Sequence, residues 1–232
     1  MRFSRDMDVC RTVNMFSMRA VSLALISLLF LVSARAAVDT AQVQTIITPL
    51  SSVDAARIEQ LKKLGPGILP QLTNLYAKSN DDDKAVIAWI LYEIGWKSRE
   101  ARVALLRDVH TPNQKLRLQV QWALGRVSDD TEVVDILADI MRNDGNALFR
   151  DKAACALAYD QIHLTEKQKV RLFAKLIEGL GDAKPQVRAI SIQALKIHTG
   201  QDKGFAPDAP SEARAQSIAR WKAWLAEYEK NL

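Results

Sequence analysis

Four stretches of this chain share one phase: Asp81…Ile87–Glu93–Ile94, Thr111…Arg117–Ala123–Leu124, Asp144…Arg150–Ala156–Leu157 and Asp182…Arg188–Ala194–Leu195. In each, an Asp or Thr precedes by six positions a residue that is Arg in three of the four copies. A small or apolar pair follows six to seven positions later. A unit of this length cannot bury its own apolar face, so successive units must stack, and architecture follows from that before any local motif is considered.

The spacing of apolar residues says what each unit is made of. Val133, Ile136, Leu137 and Ile140 form one stripe at three- and four-residue intervals, and Val170, Phe173, Leu176, Ile177 and Leu180 form another. Gly and Pro are sparse and sit at joints: Pro49, Gly65-Pro66-Gly67, Gly95, Pro112, Gly145, Gly179, Gly181, Pro185 and Gly200. No alternation of strand type lies between them. The class is all-α, with helices expected over 41–50 and 52–64, then in pairs over 66–77 with 82–94, 98–108 with 112–127, 131–142 with 147–159, and 165–179 with 184–197. Corresponding positions Gly95, Gly125, Ala158 and Lys196 are 30, 33 and 38 residues apart, which suits helix hairpins rather than strand-based repeats.

Leu61 to Leu72 (LKKLGPGILPQL) resembles a HEAT repeat, as does the pattern Leu116-Arg117-x-x-Val120-x-x-Ala123-Leu124-Gly125. Val187-Arg188-x-x-Ser191-x-x-Ala194-Leu195 repeats the latter. The resemblance spans roughly residues 52–198. It implies a right-handed α-solenoid (an α-α superhelix) of four to five helix pairs, serving mostly as a protein-binding surface. It also implies that the repeated Asp and Arg residues pair along the stack as struts. On that reading Ile87 interrupts the ladder at the first copy, and Thr111 caps like Asp without being an ionic partner for Arg117.

The first segment reads as an address. Arg2, Arg5, Arg11 and Arg19 precede the apolar run Ala20–Val32, which is short for a membrane span of about 20 residues. Ala34-Arg35-Ala36 then provides the small residues required by signal peptidase. Residues 1–36 are expected to be a cleaved secretory signal peptide, with Met15 and Met18 as alternative starts. The destination is periplasmic or secreted, in a bacterium. Export also changes the charge argument. The whole chain has 32 Lys+Arg against 27 Asp+Glu, net +5. Residues 1–36 hold five Arg and two Asp, so 27 basic and 25 acidic residues remain, net +2. Such a balance offers little for a phosphate backbone, and no nucleic-acid partner is assigned.

Residues 37–198 are expected to be HEAT-like helical repeats, and 199–232 a loop with a C-terminal capping helix. Thr199 to Pro210 is broken by Gly and Pro, and Ser211 with Glu212 reads as a helix start. Ile218, Trp221, Leu225 and Tyr228 share one face of that helix, with Trp224 beside them. The segment is similar to the closing part of exported bacterial HEAT-repeat proteins. Gly204-Phe205, Asp208, Arg214, Trp221 and Trp224 occupy the corresponding places.

Little in the chain points to chemistry. His110, His163 and His198 fall on different repeats and have no second ligand at metal-binding spacing. There is no phosphate loop and no nucleophile elbow. Asp81-Asp82-Asp83 lacks the spaced ligands of a calcium loop, and capping explains it better. Cys155 stands at an Ala-like position and is expected to be a small buried thiol. No catalytic residue, cofactor or metal is assigned.

One aromatic set remains. On helix 82–94 the core stripe is read as Val86, Ile87, Ile90 and Ile94, with Ala85, Trp89, Tyr92 and Trp96 as a second stripe. Trp122 precedes Gly125 by three residues, as Tyr92 precedes Gly95. Trp89, Tyr92 and Trp122 are therefore the candidate partner-binding residues, since large aromatics at a groove are common anchors. The function expected is an exported non-enzymatic scaffold for a protein or peptide. An enzyme accessory or lyase-like helical-repeat protein is the alternative.

Overall fold

The computed structural model describes residues 40–160 and 163–232. The expected signal peptide lies outside the described residues, which form one compact unit from Thr40 to Leu232. Among them are eleven α-helices and no strand: α1 (Thr40–Ile47), α2 (Ala55–Lys63), α3 (Leu69–Lys78), α4 (Asp81–Ile94), α5 (Arg99–Leu106), α6 (Gln114–Val127), α7 (Thr131–Asn143), α8 (Ala147–Cys155), α9 (Glu166–Leu180), α10 (Pro185–Thr199) and α11 (Ser211–Lys230).

The helices begin where short polar side chains can accept an orphan backbone N–H. Asp54, Asn80, Ser98, Asn113, Asp130, Asn146 and Thr165 each do so. Asp81, Asp82 and Asp83 fill the first turn of α4, where carboxylates suit the helix dipole. Gly95 and Gly200 end α4 and α10 in the left-handed region, at φ 69° and 70°. Three boundaries differ from expectation. The segment 41–50 splits, because Pro49 has no N–H to donate and only a 3-10 turn, Leu50–Ser52, follows. The helix expected over 147–159 is α-helical to Cys155 and widens into a π turn, Ala156–Asp160. The last helix starts after Pro210, and Ser211 is its first residue rather than its cap.

The helices pair as α1–α2, α3–α4, α5–α6, α7–α8 and α9–α10, five hairpins in an α-solenoid. First helices form one layer, in which α3 packs on α5 and α7 on α9. Second helices form the other: α2, α4, α6, α8 and α10, each against the next. The contact between α4 and α6 is the most extensive in the molecule. Ile87, Ile90 and Leu124 meet no solvent at all, and Leu91 is only 1% exposed. Between α9 and α10 the backbones approach closely. A Cβ at Gly179 would collide with Ser191 Oγ and lie 3.1 Å from its Cβ, so a larger residue there would require Ser191 to shift. Helix α11 has no partner in a further hairpin and lies on α9, continuing the first layer.

Counting from the first residue of each second helix corrects the repeat register. Thr111, Asp144 and Asp182 lie in turns, three residues before α6, α8 and α10, whereas Asp81 is the first residue of α4. The true equivalents of Arg117, Arg150 and Arg188 therefore include Lys84, not Ile87. Leu91, Leu124, Leu157 and Leu195 then align too, all almost fully buried. The ladder is unbroken. Lys84 Nζ lies 3.0 Å from Asp108 Oδ2 in the turn of the next hairpin. Arg117 pairs with Asp144, Arg150 Nη2 donates to Gln186 Oε1 at 3.1 Å, and Arg188 Nε donates to the Pro207 carbonyl at 2.8 Å.

Each of these arginines also holds its own turn. Arg117 donates to the Val109 carbonyl, Arg150 to Asp144 and Gly145, and Arg188 to Asp182 and Ala183. Asp144 and Asp182 accept instead from the N–H two residues on, as Thr111 does more weakly. A planar fork of five donors can serve two turns at once. Tyr76 joins the first rung, donating to Asp108 at 2.7 Å, and burial together with that carboxylate pushes its phenol well above the ordinary range.

Candidate functional site

The solvent side of the second-helix layer carries the expected aromatics. Trp89, Tyr92 and Trp122 are all half-buried. Trp89 and Trp122 occupy the same place in their hairpins, eight residues after the start of α4 and of α6. Tyr92 stands one turn further along α4, which brings it beside Trp122, with ring centroids 5.8 Å apart and planes tilted by 31°. Trp89 takes part in no ring pair among the described residues, so the aromatic contact is made by two of the three.

The stripes drawn on α4 need one exchange. Ala85 is buried at 1% exposure, while Val86 is half-exposed. Ala85 therefore belongs to the buried side of the helix. The solvent face of α4 is thus Val86, Trp89 and Glu93, with Tyr92 at its edge and Trp96 two residues past its end.

Cations sit over these rings. The Arg126 guanidinium lies 4.7 Å from the Tyr92 ring centre and donates to the Tyr92 carbonyl at 3.4 Å. Lys152 Nζ lies 5.4 Å from the Trp122 ring centre and 3.2 Å from the Asp151 carboxylate. Such contacts are worth about 0.5–1 kcal/mol at exposed positions. They fix the rings in place and leave a face of alternating aromatic and positive character. Further along, Cys155 takes the place in α8 that Trp122 has in α6. It is half-exposed rather than buried, because the position faces solvent throughout the layer. Tyr159, in the π turn, is 60% exposed. Sequence reading missed Arg126, Lys152 and Tyr159. The periodic offset of Arg126 from Trp122, four residues on, was the available signal.

The histidines are apart from one another. His163 Nε2 lies 2.9 Å from the Gly95 carbonyl and His198 Nε2 2.9 Å from that of Leu157, while His110 is exposed. Burial holds His198 below the ordinary histidine value. Among the described residues no three His, Cys, Asp or Glu side chains converge on a metal-sized space. No helix among them is long and apolar enough to cross a membrane.

A stack of helix hairpins tied by a repeated Arg ladder now has a counterpart among known families. Residues 69–158 match the family profile of HEAT repeats. The matched HEAT-repeat stretch runs from α3 into the π turn, three hairpins that include the whole aromatic face. Comparison with curated proteins finds no match, and neither does comparison with solved structures. HEAT repeats commonly act as protein-interaction scaffolds. The α9–α10 hairpin lies beyond the match but keeps the register of the HEAT repeats before it, through Arg188, Ala194 and Leu195.

Proposed function

We propose that this chain is an exported, non-enzymatic scaffold that binds a protein or peptide across the solvent face of α4, α6 and α8. The observation that carries the reading is the Tyr92–Trp122 pair, half-exposed and flanked by Arg126 and Lys152. Trp89 extends the same face. Aromatic rings already ordered by a cation lose little freedom when a partner covers them, which favours their use as anchors. Residues 1–36 serve as a signal peptide cleaved after Ala36, delivering the scaffold to a bacterial periplasm or beyond. The loop from 199 and α11 act as the closing cap, and the repeats occupy 37–198.

Affinity capture from the periplasm, comparing the natural chain with a Trp89→Ala/Trp122→Ala variant, tests the binding face. A partner retained by the first and lost by the second is expected; equal retention by both sinks the assignment. Amino-terminal sequencing of the exported protein tests the leader, with Ala37 expected as the first residue.

A further inference from the structure

We infer that the first-helix layer holds a second docking site, a cleft between α3 and α5 that takes an acidic amphipathic helix of a protein partner. The cleft has a volume of about 460 Å³. Its floor is Thr73 and Ala77 of α3 and Val103 and Ala104 of α5. Val103 is 44% exposed, one of three large apolar side chains so placed among the described residues. The small side chains at Thr73, Ala77 and Ala104 leave room for a third helix to approach and place an apolar residue on Val103.

Charge selects the occupant. Arg99 and Arg107 stand on the lip of the cleft, both exposed, eight residues apart and so about 12 Å along α5. Neither is joined to a carboxylate among the described residues. Glu100 also reaches the lip and accepts from Ser98 Oγ at 3.3 Å at the start of α5, so the cleft carries two guanidinium groups against one carboxylate. The next two steps of this layer are closed instead. Arg102 pairs with Asp130 and Lys97 with Asp129 between α5 and α7. Between α7 and α9, Arg171 grips both oxygens of Asp135 at 2.7 and 2.9 Å, and Arg142 reaches Glu178 at 3.3 Å. At α3–α5 the cleft has one cation more than it has acids, and neither arginine is paired across the seam. A partner helix with carboxylates two turns apart supplies the pairing, and a planar guanidinium is suited to receive each.

Selection of a random-peptide display library on the protein purified from its expressing host tests this. The expected survivors carry Asp or Glu on both sides of an apolar residue. Their binding weakens with rising salt, falls about tenfold or more in an Arg99→Glu/Arg107→Glu variant of unchanged helix content, and persists in Trp89→Ala/Trp122→Ala. Survivors without acidic residues, none at all, or binding indifferent to the charge reversal would overturn the inference. So would a dimer in solution that the same reversal disperses, because the occupant would then be a second copy of this chain.

Discussion

The middle of the stack and its C-terminal end solve the same problem with different side chains. At α4–α6 the interface is aliphatic, with Ile87, Ile90, Leu91 and Leu124 buried and a further hairpin waiting on the far side. At α9–α11 it is aromatic. Phe173 meets His198, Trp224 and Tyr228 edge-on at 5.3 to 5.9 Å, and Trp221 meets Trp224 at 5.4 Å. The polar tips are also engaged there: Trp221 Nε1 donates to the Asp202 carbonyl at 3.2 Å, and Tyr228 to Glu166 at 2.5 Å. An interior helix is covered on two sides by its neighbours, so medium-sized residues suffice. Helix α11 covers α9 without a hairpin partner of its own, and large rings with a polar handle bury more area per residue while tolerating the nearby solvent.

Removing Trp221 is the sharpest way to break that contrast. The ring is fully buried, and Trp221→Ala should cost about 4 kcal/mol in chemical unfolding. If α9–α11 is a locally held end, amide-exchange protection falls first in α9 and α11 and is retained in α4 and α6. Leu124→Ala, of comparable but smaller cost, should lower protection through the whole HEAT-repeat stretch. The same exchange pattern for both variants would mean that end and middle are not distinct.

The ladder offers a smaller effect. Arg117 and Asp144 are only 12% and 11% exposed, and the guanidinium also lies 4.0 Å from the Phe149 ring centre. Arg117→Met should therefore cost about 2 kcal/mol, chiefly by leaving Asp144 without its cation. Arg150 makes its forward contact to a neutral amide, so Arg150→Met should cost less. Equal losses would argue against the ion pair as the decisive rung.

The smallest effect concerns His198, which belongs to the aromatic end. Burial lowers its folded pKa below the ordinary value, so the unfolded chain binds the proton more readily. Its contribution to stability is present in full above about pH 6.5 and is lost as the pH falls below it, a loss that levels off below the folded value. Urea midpoints of the natural chain should fall between pH 7.5 and 5.5 by more than those of His198→Gln. An identical fall in both would remove His198 from the account.

The hairpin order, the ends of most helices and the apolar stripes were readable because they depend on local rules: period, caps, and the punctuation of Gly and Pro. The register of the first repeat was not. Asp81 and Thr111 look equivalent in a line of letters, but one begins a helix and the other lies in a turn. Only that difference identifies Lys84, not Ile87, as the rung. The proposed binding face was half-legible. Trp89, Tyr92 and Trp122 could be named from helical spacing, whereas the pairing of Tyr92 with Arg126 and of Trp122 with Lys152 depends on how far α6 is advanced against α4 and α8. The α3–α5 cleft left no trace in the sequence, since it is defined by ion pairs missing from one seam and present in the next.

What the sequence determined by itself is the repeated amphipathic unit. Periodicity at 3.6 residues with capped ends forces helices, and helices with one apolar face force a stack. The tertiary structure decided which side chains meet across that stack. Contacts such as Arg117 with Asp144 and Tyr92 with Trp122 join residues from different hairpins. Their energies depend on a few ångströms of offset between helices, which close packing sets and the order of residues along the chain does not.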